Sequence, residues 1–231
     1  MKGRGQSQKS PGKCRLFLVE DHPVTQQGLA LLLNLEADLQ VCGKAGTVDK
    51  ALTEIAATQP NLVIVDIALP GRDGIELIKD LATFHPQLPT LVLSTLDEAI
   101  YAERALRAGA KGYIMKQEPV ELLLEAVHHV LAGEVYLSEA MRNNLFQKSL
   151  SLASKAGTVS IEGLSDRELE VFRLIGEGCG TRQIAADLGV SVSTVETHRT
   201  NIKKKLGAKR APDLVRQAVE WLHRQNSSPR P

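Results

Sequence analysis

Four apolar runs in the 231-residue chain are each followed directly by groups suited to phosphate or metal chemistry. Glu20 and Asp21 follow "LFLV", Asp66 follows "LVIV", Ser94 and Thr95 follow "LVL", and Lys116 follows "GYIM". Carboxylates brought close together repel one another unless a positive charge neutralises them. A Mg²⁺ ion does so with oxygen ligands and retained waters, and Lys116 adds a second positive charge. This set suits phosphoryl transfer, in which cations draw charge from the phosphoryl oxygens while a carboxylate attacks phosphorus in line. Asp66 is the expected nucleophile and phosphoacceptor. The expected metal set is Glu20 (through a water), Asp21, Asp66 and the backbone carbonyl of Ala68. Taken singly, each residue reads as a turn residue, helix cap or surface charge. Only their convergence carries the chemistry.

Convergence requires a particular fold. Strand-like runs at 16–19, 39–42, 62–65, 90–93 and 112–115 alternate with helical stretches near 24–35, 48–58, 74–84, 98–108 and 120–132. Five βα repeats predict a doubly wound, five-stranded parallel sheet of flavodoxin-like architecture, with helices on both faces. Sites in such sheets lie beyond the carboxyl ends of the strands. Pro70, Gly71 and Gly74 then turn the chain away from Asp66 and leave the pocket open. From Tyr136 the strand pattern stops, and a helix over 139–150 leads into a link. The rest is all-helical, near 166–177, 181–188, 192–206 and 211–224, with Ser165 and Glu168 forming a capping box. The expected division is a disordered basic tail (1–13), an α/β domain (14–132), a linker (133–159), a four-helix domain (160–225) and a tail (226–231).

Charge divides the same way. The net charge of +1 conceals an acidic stretch, 14–135, with 9 Lys/Arg against 17 Asp/Glu, and a basic one, 160–231, with 12 against 9. Two domains with different partners are implied, the second of them DNA. Cys14, Cys42 and Cys179 are too scattered for a disulfide framework or zinc site and fit a reducing cytoplasm. No apolar stretch approaches the roughly 20 residues of a membrane span, and the N-terminus lacks the apolar core of a secretory signal.

The basic end carries its own constellation. In "TRQIAADLGVSVSTVETHRTNIKKKLGAK", Ala185, Gly189 and Val195 have helix-turn-helix spacing over about 181–206. Ser191 or Ser193 caps the second helix. Val192, Val195, Ile202 and Leu206 should face the core. Ser193, Glu196, Thr197, Thr200 and Lys204 face outward, as on a helix laid in the major groove. Glu196 suits a cytosine amino group, and Thr197 and Thr200 suit base edges or a thymine methyl. Lys203, Lys204, Lys209, Thr181 and Arg182 suit phosphates, and Ser191, Ser193 and Thr194 complete the expected DNA-contacting set. Arg199 lies nearer the inward side, where a helix–helix salt bridge is expected, and His198 is expected to pack in the core. "GEGCG" at 176–180 follows a helix and lacks Gly-Lys-Ser/Thr, so it reads as a helix end and turn rather than a phosphate loop.

"LFLVEDHP", "LVIVDIALPGRDG", "LVLST" and "GAKGYIMK" resemble the receiver domain of two-component response regulators over residues 14–132. "LSDRELEVF" through "LGAK" resembles the LuxR-type helix-turn-helix domain over 160–225. Together they resemble a response regulator of the NarL/FixJ type. The resemblance implies a phosphoryl group taken by Asp66 from a sensor histidine kinase and bound by Ser94, Thr95 and Lys116. It implies a Tyr113 that swings inward with the hydroxyl, Mg²⁺ as cofactor, and regulated binding to promoter DNA as a homodimer, with RNA polymerase a further partner. Dimers of such domains commonly form through the last helix, so Trp221 belongs either to that contact or to the core. An acidic receiver covering a basic recognition helix is one expected route of control; phosphorylation-promoted dimerisation is another.

Two departures stand out. Gln117 replaces a common proline, so a cis bond there would be a non-proline one, costing about 3 kcal/mol. Ala68 and Leu96 are apolar where a side chain orients attacking water, so self-dephosphorylation should be slow. Turnover catalysis is not expected. A phosphatase forming an aspartyl-phosphate is one rival reading, disfavoured by Ala68 where a second acid is usual. A phosphorylation-independent regulator is another, weakened because every switch residue is present.

Overall fold

In the computed structural model, residues 12–151 and 161–227 are described. Residues 1–11, 152–160 and 228–231 lie outside them, and with them most of the expected basic tail, the end of the linker and the last residues of the C-terminal tail.

The α/β part runs β1 (Cys14–Val19), α1 (Pro23–Leu35), β2 (Leu39–Ala45), α2 (Val48–Thr58), β3 (Leu62–Val65), α3 (Gly74–Phe84), β4 (Thr90–Ser94), α4 (Glu98–Ala108), β5 (Gly112–Met115) and α5 (Val120–Leu131). All neighbouring strands pair in parallel, in the order β2-β1-β3-β4-β5. Alternate strand residues enter two apolar layers. Leu16, Leu18, Leu62 and Ile64 pack with Leu33, Ala126 and Val130, while Phe17, Val19, Val63 and Val65 pack with Ile55, Ile78 and Ala102. Helices α1 and α5 therefore cover one face and α2 to α4 the other. Strand β2 runs to Ala45, beyond the expected 39–42, with a register shift opposite Leu16 and Phe17. It is an edge strand whose middle is only half-buried, so its far half carries no apolar signal.

The linker begins as a strand extension. Tyr136 forms an isolated parallel bridge with Gly112, which no alternation in sequence announced. Helix α6 (Glu139–Ser151) follows. A 3-10 turn at Ile161–Gly163 precedes α7 (Asp166–Gly176), α8 (Thr181–Asp187), α9 (Val192–Leu206) and α10 (Ala211–Ser227). Ser165 and Glu168 close the expected capping box. Trp221 is buried with its ring centroid 5.4 Å from that of Phe172, which places it in the core. Gly176 lies at the crossing of α7 and α10, where a Cβ would come 2.7 Å from Ala218 O. The glycine in "GEGCG" therefore serves close helix packing. No helix among the described residues is long and apolar enough to cross a membrane.

Candidate functional site

Strand register places Asp66 where distant strand ends meet. Val19 pairs with Val65, so Glu20 and Asp66 leave the sheet as neighbours, and Asp66 N donates to Val19 O at 2.9 Å. Ser94 pairs with Met115, and Lys116 N donates to Ser94 O at 2.9 Å. Glu20, Asp66 and Ser94 are all buried. Ser94 Oγ donates to Asp66 Oδ1 at 2.7 Å, and Ala68 N donates to the same oxygen at 3.2 Å. Lys116 Nζ donates to Asp66 Oδ2 at 2.6 Å and lies 2.5 Å from Glu20 Oε2. Burial opposes the lysine's charge, but the bonds and attraction of Asp66 and Glu20 outweigh it and raise the amine above its usual value.

Asp21 stands at the rim. Its Oδ1 is buried without an accepted hydrogen bond, although His22 Nδ1 lies 2.8 Å away. Glu20, Asp21 and His22 bring ligand atoms within 4.8 Å of one another. An orphaned carboxylate oxygen beside a second carboxylate fits a hard divalent cation such as Mg²⁺. The grouping differs from the expected one: His22 joins it, while Asp66 is drawn toward Lys116 and Ser94. Neither His22 nor Gln26 was singled out in the sequence. Gln26 Nε2 donates to Glu20 O at 2.9 Å and Ala45 O at 3.3 Å, tying the ends of β1 and β2. Thr95 is exposed and makes no hydrogen bond to the cluster among the described residues. Tyr113 is buried, its Oη donating to Leu96 O at 2.6 Å, and burial pushes its phenol well above the usual value. No cis peptide occurs among the described residues, Lys116–Gln117 included.

Chain geometry beyond Asp66 is as tight. A Cβ on Gly74 would come 2.2 Å from Asp66 O, so only glycine lets α3 start this close to the acid. Asp73 caps α3, accepting from Glu76 N at 2.8 Å. Between them and Asp66, the β3–α3 loop meets the helical domain. Gly71 N donates to Asp187 O at 2.9 Å. Arg167 reaches Gly71 O at 3.2 Å, Glu170 Oε2 at 2.6 Å and Leu188 O at 2.7 Å. Nearby, Asp166 accepts from Lys79 at 2.6 Å and Arg104 at 2.9 Å.

In the helix-turn-helix, Ala185 and Val195 are buried. Ser191, not Ser193, caps α9, accepting from Thr194 N at 3.0 Å. Ser193, Thr194, Glu196, Thr197, Thr200 and Lys204 are exposed, as are Arg182 and Lys209, while Thr181 and Lys203 are half-buried. Thr181 Oγ1 donates to Glu196 Oε1 at 3.1 Å. Val192, the first residue of α9, is 46% exposed rather than in the core. Arg199 makes no ion pair among the described residues; Lys205 instead bonds Glu168 at 2.6 Å. His198 is half-buried, and desolvation holds its imidazole below the usual value. The receiver meets the turn before α9 and leaves the outward side chains of α9 exposed, so closure is not the covering of those side chains expected from charge.

Residues 16–128 match the response regulator receiver domain family, and residues 162–218 match the family of bacterial regulatory proteins, luxR family. The oxygen regulatory protein NreC of Staphylococcus aureus (strain JH9) is 35% identical over 210 residues, 89% of this chain and 97% of its own length. The crystal structure of ChrA, a response regulator in a heme-sensing two-component system, is 31% identical over 92% of this chain and 99% of its own, with a TM-score of 0.50. RcsB from Salmonella enterica serovar Typhimurium, bound to promoter rprA with phosphomimetic BeF3−, is 23% identical over 90% of this chain and 99% of its own, with a TM-score of 0.65, and supports the fold. A strand-edge acid site joined to a helix-turn-helix, matched along nearly the whole chain, places this protein among the two-component response regulators of the NarL/FixJ type, which regulate transcription through a LuxR-type DNA-binding domain.

Proposed function

We propose that Asp66 accepts a phosphoryl group from the phosphohistidine of a sensor kinase, and that this changes how the helical domain engages promoter DNA. The observation that carries it is the ring of donors on one buried carboxylate: Ser94 Oγ and Ala68 N on Oδ1, and Lys116 Nζ on Oδ2. In the transfer, an Asp66 oxygen bonds phosphorus as the P–N bond of the donor breaks. Lys116 and Ser94 are then placed to hold the new phosphoryl oxygens instead of the carboxylate. Mg²⁺ held by Glu20, Asp21, Asp66 and the Ala68 carbonyl would supply neutralising charge. Release of Ser94 from Asp66 is the local change, with Tyr113 packed beside it on Leu96 O.

The donor must approach beside α1. That helix exposes Val24, Leu31 and Leu35 on one stripe at 86%, 70% and 79%, next to the acid pair, and we assign this stripe to the kinase. Glu196, Thr197 and Thr200 read bases in this proposal, while Lys203, Lys204, Lys209, Arg182 and Thr181 hold phosphates. The protein acts in the cytoplasm, and dimerisation and contact with RNA polymerase follow on DNA. Apolar Ala68 and Leu96 keep the acyl phosphate long-lived.

Incubation with a small acyl phosphate and Mg²⁺, followed by phosphate-affinity electrophoresis, should shift wild type and leave Asp66→Ala unshifted. Genome-wide binding of the two then reports whether the modification controls promoter occupancy. Labelling of Asp66→Ala would overturn the assignment. Labelling confined to wild type with identical promoter occupancy would favour a phosphorylation-independent regulator.

A further inference from the structure

Two acids, Asp73 and Glu170, are largely buried beside the joint between the two domains. Asp73, 5% exposed at the start of α3, forms no ion pair among the described residues. Glu170, with its side chain 12% exposed on α7, is bonded to Arg167. That guanidinium is divided among Glu170, Gly71 O on the receiver and Leu188 O before α9. The other cations are committed elsewhere: Arg173 to Glu177, and Arg104 and Lys79 to Asp166. Tyr101 of α4 adds a buried hydroxyl with no hydrogen-bond partner. The groups acting on the two acids are thus Glu76 on α3, Tyr101 on α4, and Asp166, Arg167 and Arg173 on α7, while Arg104 on α4 acts on Tyr101. Only Glu170 is bonded to Arg167, the charge of Asp73 acts on Glu170, and a like charge beside a buried carboxylate favours a proton on it.

We propose that docking of the receiver on the helical domain takes up a proton at the Asp73–Glu170 pair, so that acid holds the domains together and alkali lets them part.

Burial, with Asp73 adding repulsion, pushes Glu170 up to about 7 in the docked form. Asp73 is raised in the same direction, also mainly by burial. In this proposal separation returns Glu170 to water, where a glutamate has its ordinary 4.5. The docked form therefore binds more protons between those values. Across that interval the docking constant falls with rising pH, by up to about tenfold per pH unit for one proton, and it levels above the docked value. The effect requires neither phosphoryl group nor DNA.

Small-angle X-ray scattering of the dilute, unphosphorylated full chain from pH 5 to 8 tests this. Wild type should expand as pH rises and level off above about 7. Glu170→Gln should remain compact throughout. Asp73→Asn, which keeps an oxygen to cap α3, should move the transition to lower pH. A wild-type radius of gyration that is flat with pH overturns the proposal, as does the same transition in Glu170→Gln. If Glu170→Gln unfolds by circular dichroism, an unshifted midpoint in Asp73→Asn overturns it. Because the readout is shape, a failed Asp66 assignment leaves the result unaffected.

Discussion

Gly71 N donates to Asp187 O at 2.9 Å. The loop that carries Asp66 is thus hydrogen-bonded to the last residue of α8, just before the turn into α9. A disturbance at the acid has a short path to the DNA-binding unit, through backbone rather than through a chain of side chains. Arg167 reinforces the joint from the other side. A hydrogen bond from a charged group contributes about 1.5–3 kcal/mol. Docking holds the turn before α9 against the receiver, so Arg167→Ala should free that turn to approach the duplex and raise the DNA affinity of unphosphorylated protein by about tenfold. Fluorescence anisotropy at fixed salt measures this, with thermal unfolding as the control for the lost bond to Leu188.

Asp166 provides a second test, of opposite sign in pH. Burial raises its carboxyl, but the bonds from Lys79 and Arg104 prevail and hold it below the usual 3.8. A depressed acid stabilises docking above its undocked value, and that contribution is lost as pH falls through the lowered one. Combined with Glu170, docking should be strongest in mildly acidic solution and weaken on both sides. Arg104, at 15% side-chain exposure, should matter more than Lys79, at 52%. Lys79→Ala should cost docking no more than about 1 kcal/mol, and scattering at matched pH ranks the two variants.

Gly74→Ala tests the close approach at the acid. The added methyl meets Asp66 O and the Ile67 backbone, which cannot swing aside. Overpacking of this kind costs about 1–3 kcal/mol. Urea unfolding of the variant should show that loss, and its labelling by a small acyl phosphate should be slower than wild type.

Ala68→Asn should shorten the life of the acyl phosphate by placing a polar group beside the phosphorus. Decay followed by phosphate-affinity electrophoresis reports it, and an unchanged half-life would remove Ala68 from the account.

On α9, Lys204→Ala should weaken all sequences alike and lower the slope of log affinity against log salt by about 1. Glu196→Ala should instead relax preference at one base pair, by about 1–3 kcal/mol. Selection from a random-sequence pool separates the two outcomes.

Much of this was legible in one dimension. The apolar runs that end in Glu20, Asp66, Ser94 and Lys116 announced a parallel sheet and its active edge, because a buried strand must be continuously apolar and its end is where polarity resumes. The capping box and the Ala185–Gly189–Val195 spacing did the same for the helical domain, since both are local. Hidden were the far half of β2, where a half-buried edge carries polar residues, and the bridge at Tyr136, a single pairing with no period. Val192 misled because helical periodicity gives a face but not how far the helix end is buried.

Sequence by itself determined the chemistry of the chain: which carboxylate follows which strand, which helix bears the lysines, and which residues are absent from the water-orienting positions. These follow from local patterning and covalent order. Tertiary structure alone decided the partners: Lys116 against both Glu20 and Asp66, His22 beside Asp21, and Arg167 divided between the two domains. The interface acids Asp73 and Glu170 lie 97 residues apart in the chain. In the sequence Asp73 reads as a helix cap and Glu170 as a helix residue, and only the fold sets both beside the joint of the two domains.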